Sequence, residues 1–248
     1  MKTFVVALAV ALLLLAAVAT LAPAALLDAR LAAATHGGLR LTDTAGTVWN
    51  GRGKLTGNTR TWSLPVQWKL DPIAALRGGV SITLQASEGG DVPRGSVAWR
   101  DDALTIEGVA LTLPAAALNG SLAAGNTLAF GGYIAVDTPH LRWNGREGDG
   151  AATAQWSGAR VAGNVGTVAL GTVSVNFAPR GERLDGHIES RGGDVRIDGE
   201  IAVSSAGFDV SATLAPLPSA PPEVIRALGA LGTPDASGAV RVQWRSNR

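Results

Sequence analysis

From about residue 40 onward, apolar and polar positions alternate with a period of two. Trp62, Leu64, Val66, Trp68 and Leu70 share one face, and Thr61, Ser63, Gln67 and Lys69 share the other, the pattern of a strand with one wet face. Pro65 has no N–H to give to a ladder, so it predicts a sheet edge or a bulge at that point. Val195, Ile197, Ile201 and Val203 alternate in the same way with Asp194, Arg196, Asp198 and Glu200, with Gly199 as a bulge or kink among them. Phe208, Val210 and Leu214 continue the rule, as do Val240, Val242 and Trp244. Between Val168 and Phe177 the apolar parity switches at Gly171, and a bulge at that glycine restores a single apolar face.

Further strands are predicted over 39–41, 46–55, 80–84, 96–99, 104–106, 109–113, 128–136 and 155–161. Helical pattern is scarce. Pro222 followed by Val224, Ile225, Ala227 and Leu228, with Gly232 and Pro234 beyond, has the order of a helix that starts at proline and stops at glycine. Shorter helical turns are predicted at Pro72 and at Pro114. The chain is therefore expected to be all-β, a large antiparallel meander of about twelve to sixteen strands. It forms either one curved sheet or two packed sheets, with one or two short helices.

The N-terminus breaks this pattern. Phe4 to Leu27 carries no charge and is interrupted only by Thr20 and Pro23. A helix of that length reaches about 36 Å, enough to cross a hydrocarbon core of about 30 Å. The expected organisation is a transmembrane anchor over 1–30 and an exported β domain over 31–248. A cleaved signal peptide is the competing reading, because Ala17-Val18-Ala19 and Ala22-Pro23-Ala24 have the small residues of cleavage sites. The apolar run is longer than the usual signal core, which favours the anchor. In both readings Lys2 stays inside and the chain beyond about residue 30 is exported.

Composition narrows the function classes. Glycine accounts for 32 of the 248 residues, about twice its usual share, as many short strands joined by turns require. The 21 basic and 20 acidic residues are interspersed, so nothing predicts a nucleic-acid partner. Without cysteine there is no disulfide, no thiolate metal site and no thiol nucleophile. His36, His140 and His187 are far apart and fit no metal-ligand spacing, so they read as surface or strand-edge histidines and no metal or cofactor is expected. No nucleophile elbow, zinc-protease helix or phosphate loop is present. The adjacent Asp101 and Asp102 would face opposite sides of a strand or lie solvated in a turn, which makes them a poor acid/base pair.

Seven tryptophans stand against one tyrosine. They read as core fillers whose N–H groups bond at strand edges, or as parts of a contact surface. Trp49-Asn50-Gly51-Arg52 is echoed by Trp143-Asn144-Gly145-Arg146 and more loosely by Trp156-Ser157-Gly158-Ala159-Arg160, either an internal duplication or a repeated strand-ending tryptophan before a glycine turn. Trp49, Arg52 and Trp143 are the candidate contact residues.

At these residues the chain resembles the type II secretion system protein N family. Gly46-Thr47-Val48-Trp49-Asn50-Gly51 is similar to that family's Gly-Thr-Val-Trp-Ser-Gly block, with asparagine in place of the commoner serine. Trp68-Lys69-Leu70 with Pro72, Leu111-Thr112-Leu113-Pro114, Gly131-Gly132, Trp156-Ser157-Gly158 and Leu231-Gly232 follow in the family's order. The resemblance implies an accessory, non-enzymatic component of the envelope-spanning machine that exports folded periplasmic proteins. It would sit in the inner membrane, with its C-terminal domain in the periplasm and other secretion components as partners. A second reading is open, because a long apolar sheet face is covered by a second sheet, by barrel closure, or by acyl chains in a lipid-bridging groove.

Overall fold

A computed structural model describes residues 22–35, 37–57, 62–86, 93–120, 128–164, 166–204 and 207–247. It contains one antiparallel sheet of thirteen strands in which every strand pairs with its sequence neighbours, in the order β1 to β13. The strands are β1 (Leu39–Gly46), β2 (Asn50–Gly57), β3 (Ser63–Leu70), β4 (Val80–Gln85), β5 (Arg94–Arg100), β6 (Ala103–Pro114) and β7 (Ala129–Trp143). They continue with β8 (Gly148–Gly163), β9 (Gly166–Arg180), β10 (Arg183–Arg191), β11 (Val195–Ser204), β12 (Gly207–Pro216) and β13 (Val240–Asn247). The helices are α1 (Ala25–Ala34), α2 (Pro72–Leu76) and α3 (Pro222–Leu231), with a 3₁₀ turn over Ala115–Gly120. The all-β meander is observed, as one sheet rather than two, and the helical turns at Pro72, Pro114 and Pro222 are all present.

The alternation holds on β3. Trp62, Val66 and Trp68 are buried while Ser63, Pro65 and Lys69 are exposed. Pro65 does lie at a local edge: it faces Lys54 of β2, and β4 pairs with β3 only from Gln67 onward. The parity switch at Gly171 is also observed. Its φ is +74°, the β8–β9 register is irregular where Ala159 meets it, and a Cβ there would lie 2.3 Å from the Arg191 carbonyl oxygen.

The same device recurs in adjacent strands. In β6 the apolar parity changes at Gly108 (φ +58°), and in β8 it changes at Gly158 (φ +59°). The β7–β8 register shifts between Asp137 and His140. A row of neighbouring bulges bends the sheet while keeping its apolar residues on one face.

Three expectations change. The strand predicted over 46–55 is broken by a turn at Thr47–Trp49, where the Thr47 N–H bonds the Asn50 carbonyl at 2.9 Å. Gly199 is not a bulge. It sits in regular register between Ile188 and Ala212, and its role is close approach, since a Cβ there would lie 2.6 Å from the Ala212 Cβ. The tryptophan echo is not a structural repeat, because Trp49 lies in a turn before β2, Trp143 ends β7, and Trp156 is inside β8.

Two clusters form the core, both on the apolar face. Under α1, Ala24, Leu27 and Leu31 pack on Leu41, Val66 and Trp68. Under α3, Val224 and Leu228 pack with Ala159, Leu170, Val173, Val195 and Val240. The boundary expected between residues 30 and 31 falls inside α1, so Ala22 to Ala34 lies with the sheet. Among the described residues no helix is long and apolar enough to cross a membrane. Most of the predicted span, Phe4 to Leu21, lies outside them, as does His36.

Candidate functional site

In an antiparallel meander all odd-numbered strands run toward one rim. Here that rim, called the upper rim, carries the turns Thr47–Trp49, Asp71–Gly79 (with α2), Asp101–Asp102, Asn144–Glu147 and Gly181–Glu182. Asp101 and Asp102 both have positive φ, 50° and 60°, and form the two-residue turn between β5 and β6, a conformation short polar side chains tolerate. They are solvated turn residues.

The described chain enters at this rim. The Ala22 carbonyl accepts from the Val48 N–H at 2.9 Å, the Ala24 N–H bonds the Gly46 carbonyl at 3.2 Å, and Pro23 bridges Thr47. The Trp49 carbonyl then accepts the Leu70 N–H at 2.7 Å, and the Asp71 carboxylate caps α2 through the Ile73 N–H at 2.8 Å. The entry point, the Trp49 turn and α2 are thus joined by consecutive hydrogen bonds. The Trp68 indole N–H, donating to the Val48 carbonyl at 3.0 Å, fixes the same turn from the core side.

The three candidate contact residues share this rim without forming one site. Trp49 is half-buried in the first turn. Arg52, exposed on β2 opposite Gln67, lies on the polar face and lines a shallow depression with Asp43, Lys54, Pro65 and Gln67. Trp143 stands five strands away from β2, roughly 24 Å at about 4.8 Å per strand, and its indole N–H reaches across to the Gly181 carbonyl at 3.2 Å. Trp156 likewise bonds the Gly131 carbonyl, at 2.9 Å, and packs against Phe130. Trp99 and Trp244, by contrast, are about half exposed.

The sequence reading missed two polar constellations. His140 on β7 is held between Glu107 of β6 and Asp149 of β8, each at 2.8 Å, and its pKa is raised by the Asp149 and Glu107 hydrogen bonds. With both ring nitrogens engaged on an exposed sheet face, the trio clasps three adjacent bulged strands. Among the described residues no histidine and carboxylate group is arranged to hold a metal ion. His187 is exposed, 3.9 Å from Asp198.

The second constellation ties α1 to β1. One Asp28 carboxylate oxygen accepts from the Leu41 N–H at 2.8 Å and from Arg40 Nε at 2.9 Å, and the other accepts from Arg40 Nη2 at 2.6 Å. These bonds hold the Asp28 pKa down at about 2, the Arg40 hydrogen bond being the largest cause and the Leu41 N–H the next. No sequence spacing announces either constellation, since both depend on which strands or helices lie side by side.

Fold and rim together define a class: an open β-meander sheet, closed at each end by a short helix, whose chain enters at a tryptophan-bearing rim. The chain belongs to the type II secretion system protein N family, whose model matches residues 37–243. No curated protein and no solved structure matches it. Members of that family are components of the type II secretion apparatus and not a known enzyme family.

Proposed function

We propose that this protein is an accessory component of the type II secretion system, anchored in the inner membrane by its apolar N-terminal segment. Its sheet, in the periplasm, docks other secretion components and so aids export of folded proteins. The observation that carries the reading is the entry of the chain at the upper rim, immediately after the uncharged run Phe4–Leu21 and beside Trp49 and Arg52. As a helix those eighteen residues would reach about 27 Å, close to the thickness of a hydrocarbon core. Lys2 would remain on the cytoplasmic side. Photo-reactive residues placed at Arg52 and Lys69 in intact cells are expected to yield adducts with inner-membrane secretion components. Their absence from every adduct would overturn the reading.

One feature favours a second reading, lipid carriage along the apolar face. Between the two helix-covered clusters, Val97, Leu104, Ile106, Ile134 and Val136 are only half-buried, although they lie on the apolar side of β5 to β7. Such a strip accepts acyl chains at little cost. Phospholipid or lipopolysaccharide adducts in the same crosslinking experiment, together with lipid found by mass spectrometry in the purified protein, would favour this reading over the first.

A further inference from the structure

The upper rim carries an apolar patch that no part of the described chain covers. On α2, Ala74 is buried at 3% exposure while Ile73 and Leu76, three residues apart on its outward side, are 56% and 87% exposed. Beside them Val80 and Trp99, cross-strand partners on β4 and β5, are 55% and 48% exposed. Soluble surfaces seldom collect four large apolar side chains in this way. The hydrogen-bonded run from Ala22 through Trp49 to Leu70 puts this patch next to the point where the uncharged N-terminal segment joins the sheet.

We propose that this patch rests in the outer leaflet of the same membrane that holds the N-terminal segment, with Ile73, Leu76 and Val80 entering lipid and Trp99 at the headgroup level. The inference rests on the anchored reading above. A segment that crosses the bilayer delivers the rim to the membrane surface, and the side chains it delivers there are aliphatic residues and tryptophan, the pair favoured at that boundary. Nearby charges balance, with Lys69, Arg77 and Arg100 set against Asp71, Asp101 and Asp102. The contact is therefore apolar and insensitive to salt. It makes a second attachment that stops the sheet swinging about its tether and stands the strands up from the membrane.

The absence of native cysteine allows a direct test. Full-length protein carrying Leu76→Cys, or Ser219→Cys on the opposite rim, is labelled with a polarity-sensitive dye and reconstituted into phosphatidylethanolamine/phosphatidylglycerol vesicles. Both positions are exposed, so neither substitution disturbs the core. The Leu76 probe is expected to shift to shorter wavelength and to be quenched by brominated lipid, with no change in high salt, while the Ser219 probe stays water-like. A water-like Leu76 probe in protein that floats with the vesicles would overturn the inference and leave the anchor standing. A dry but unquenched probe would also overturn it, by showing that protein rather than lipid covers the patch. Failure of the protein to float would remove the anchored reading and this inference with it.

Discussion

The helices at the two ends of the apolar face are of equal length and hold to the sheet by different means. At the C-terminal end, α3 drives Val224 and Leu228, one turn apart and almost wholly buried, into aliphatic side chains of β8, β9, β11 and β13. At the N-terminal end, α1 sets Leu27 and Leu31 against Leu41, Val66 and Trp68 and is also secured by the Asp28 tether to Arg40 and the Leu41 N–H. Among the described residues, the side chains of α3 meet the sheet through apolar contacts, whereas α1 combines burial with directed polar bonds. The helix that follows the uncharged N-terminal run is the one tethered by directed polar bonds.

The largest test of this contrast is Trp68→Asp. The change leaves a void under α1, places a carboxylate among Leu41, Val66 and Leu31, and removes the bond to Val48. A loss of more than about 5 kcal/mol is expected, enough to unfold the N-terminal end; an unchanged melting temperature would refute the assignment of faces on β3. Leu228→Ala should cost about 3 kcal/mol by cavity formation. Because the two clusters share no residue, hydrogen exchange should rise in β9 to β13 and stay unchanged in β1 to β4. Equal loosening of both ends would mean that the clusters form one cooperative core.

Asp28→Asn should cost about 1 kcal/mol at neutral pH, since the partly exposed pair is screened by solvent. The Asp28 pKa is depressed from 3.8 to about 2 in the fold, so its contribution is complete above the unfolded value and disappears as pH falls through the folded one. Melts of wild type and variant should therefore converge between about pH 4 and pH 2. The smallest effect is expected for His140→Asn. The imidazole pKa is raised above its ordinary 6.5, so the clasp contributes fully below that value and is lost as pH rises through the folded one. The difference between His140→Asn and wild type should shrink above about pH 6.5, and a difference that grows with pH would contradict the clasp.

Much of the sheet was legible because alternation reports burial directly. The parity break at Gly171 even located a bulge, since a period of two cannot change phase without an extra residue. β10 escaped notice because its apolar side holds Leu184, Gly186 and Ile188, and the glycine sits where a Cβ would strike Phe177 and Ile201. The turn at Thr47–Trp49 was hidden because its residues are as β-prone as those of the flanking strands. The rim was partly legible: Trp49, Arg52 and Trp143 were marked from their repeated motif, but their separation follows from strand order. The exposed side of α2 was missed because one helical turn is too short for periodicity to say which side faces out. The Asp28 and His140 networks join residues whose neighbours are set only once the sheet is assembled.

The order of the thirteen strands also has a temporal meaning. Each strand needs only the one before it as a template, so every ladder closes between near neighbours and the sheet can grow as the chain emerges, N-terminus first, without rethreading. On the leading edge Pro23 bridges Thr47 just beyond β1 and Asp28 takes up the Leu41 N–H, while the trailing edge passes from strand to strand until β13. Arg241 leaves an exposed charge on that strand, which discourages another chain from continuing the sheet, and Arg245 is paired with Asp209 of β12. The fold is thus written so that growth begins at an edge tied down by the residues that precede it.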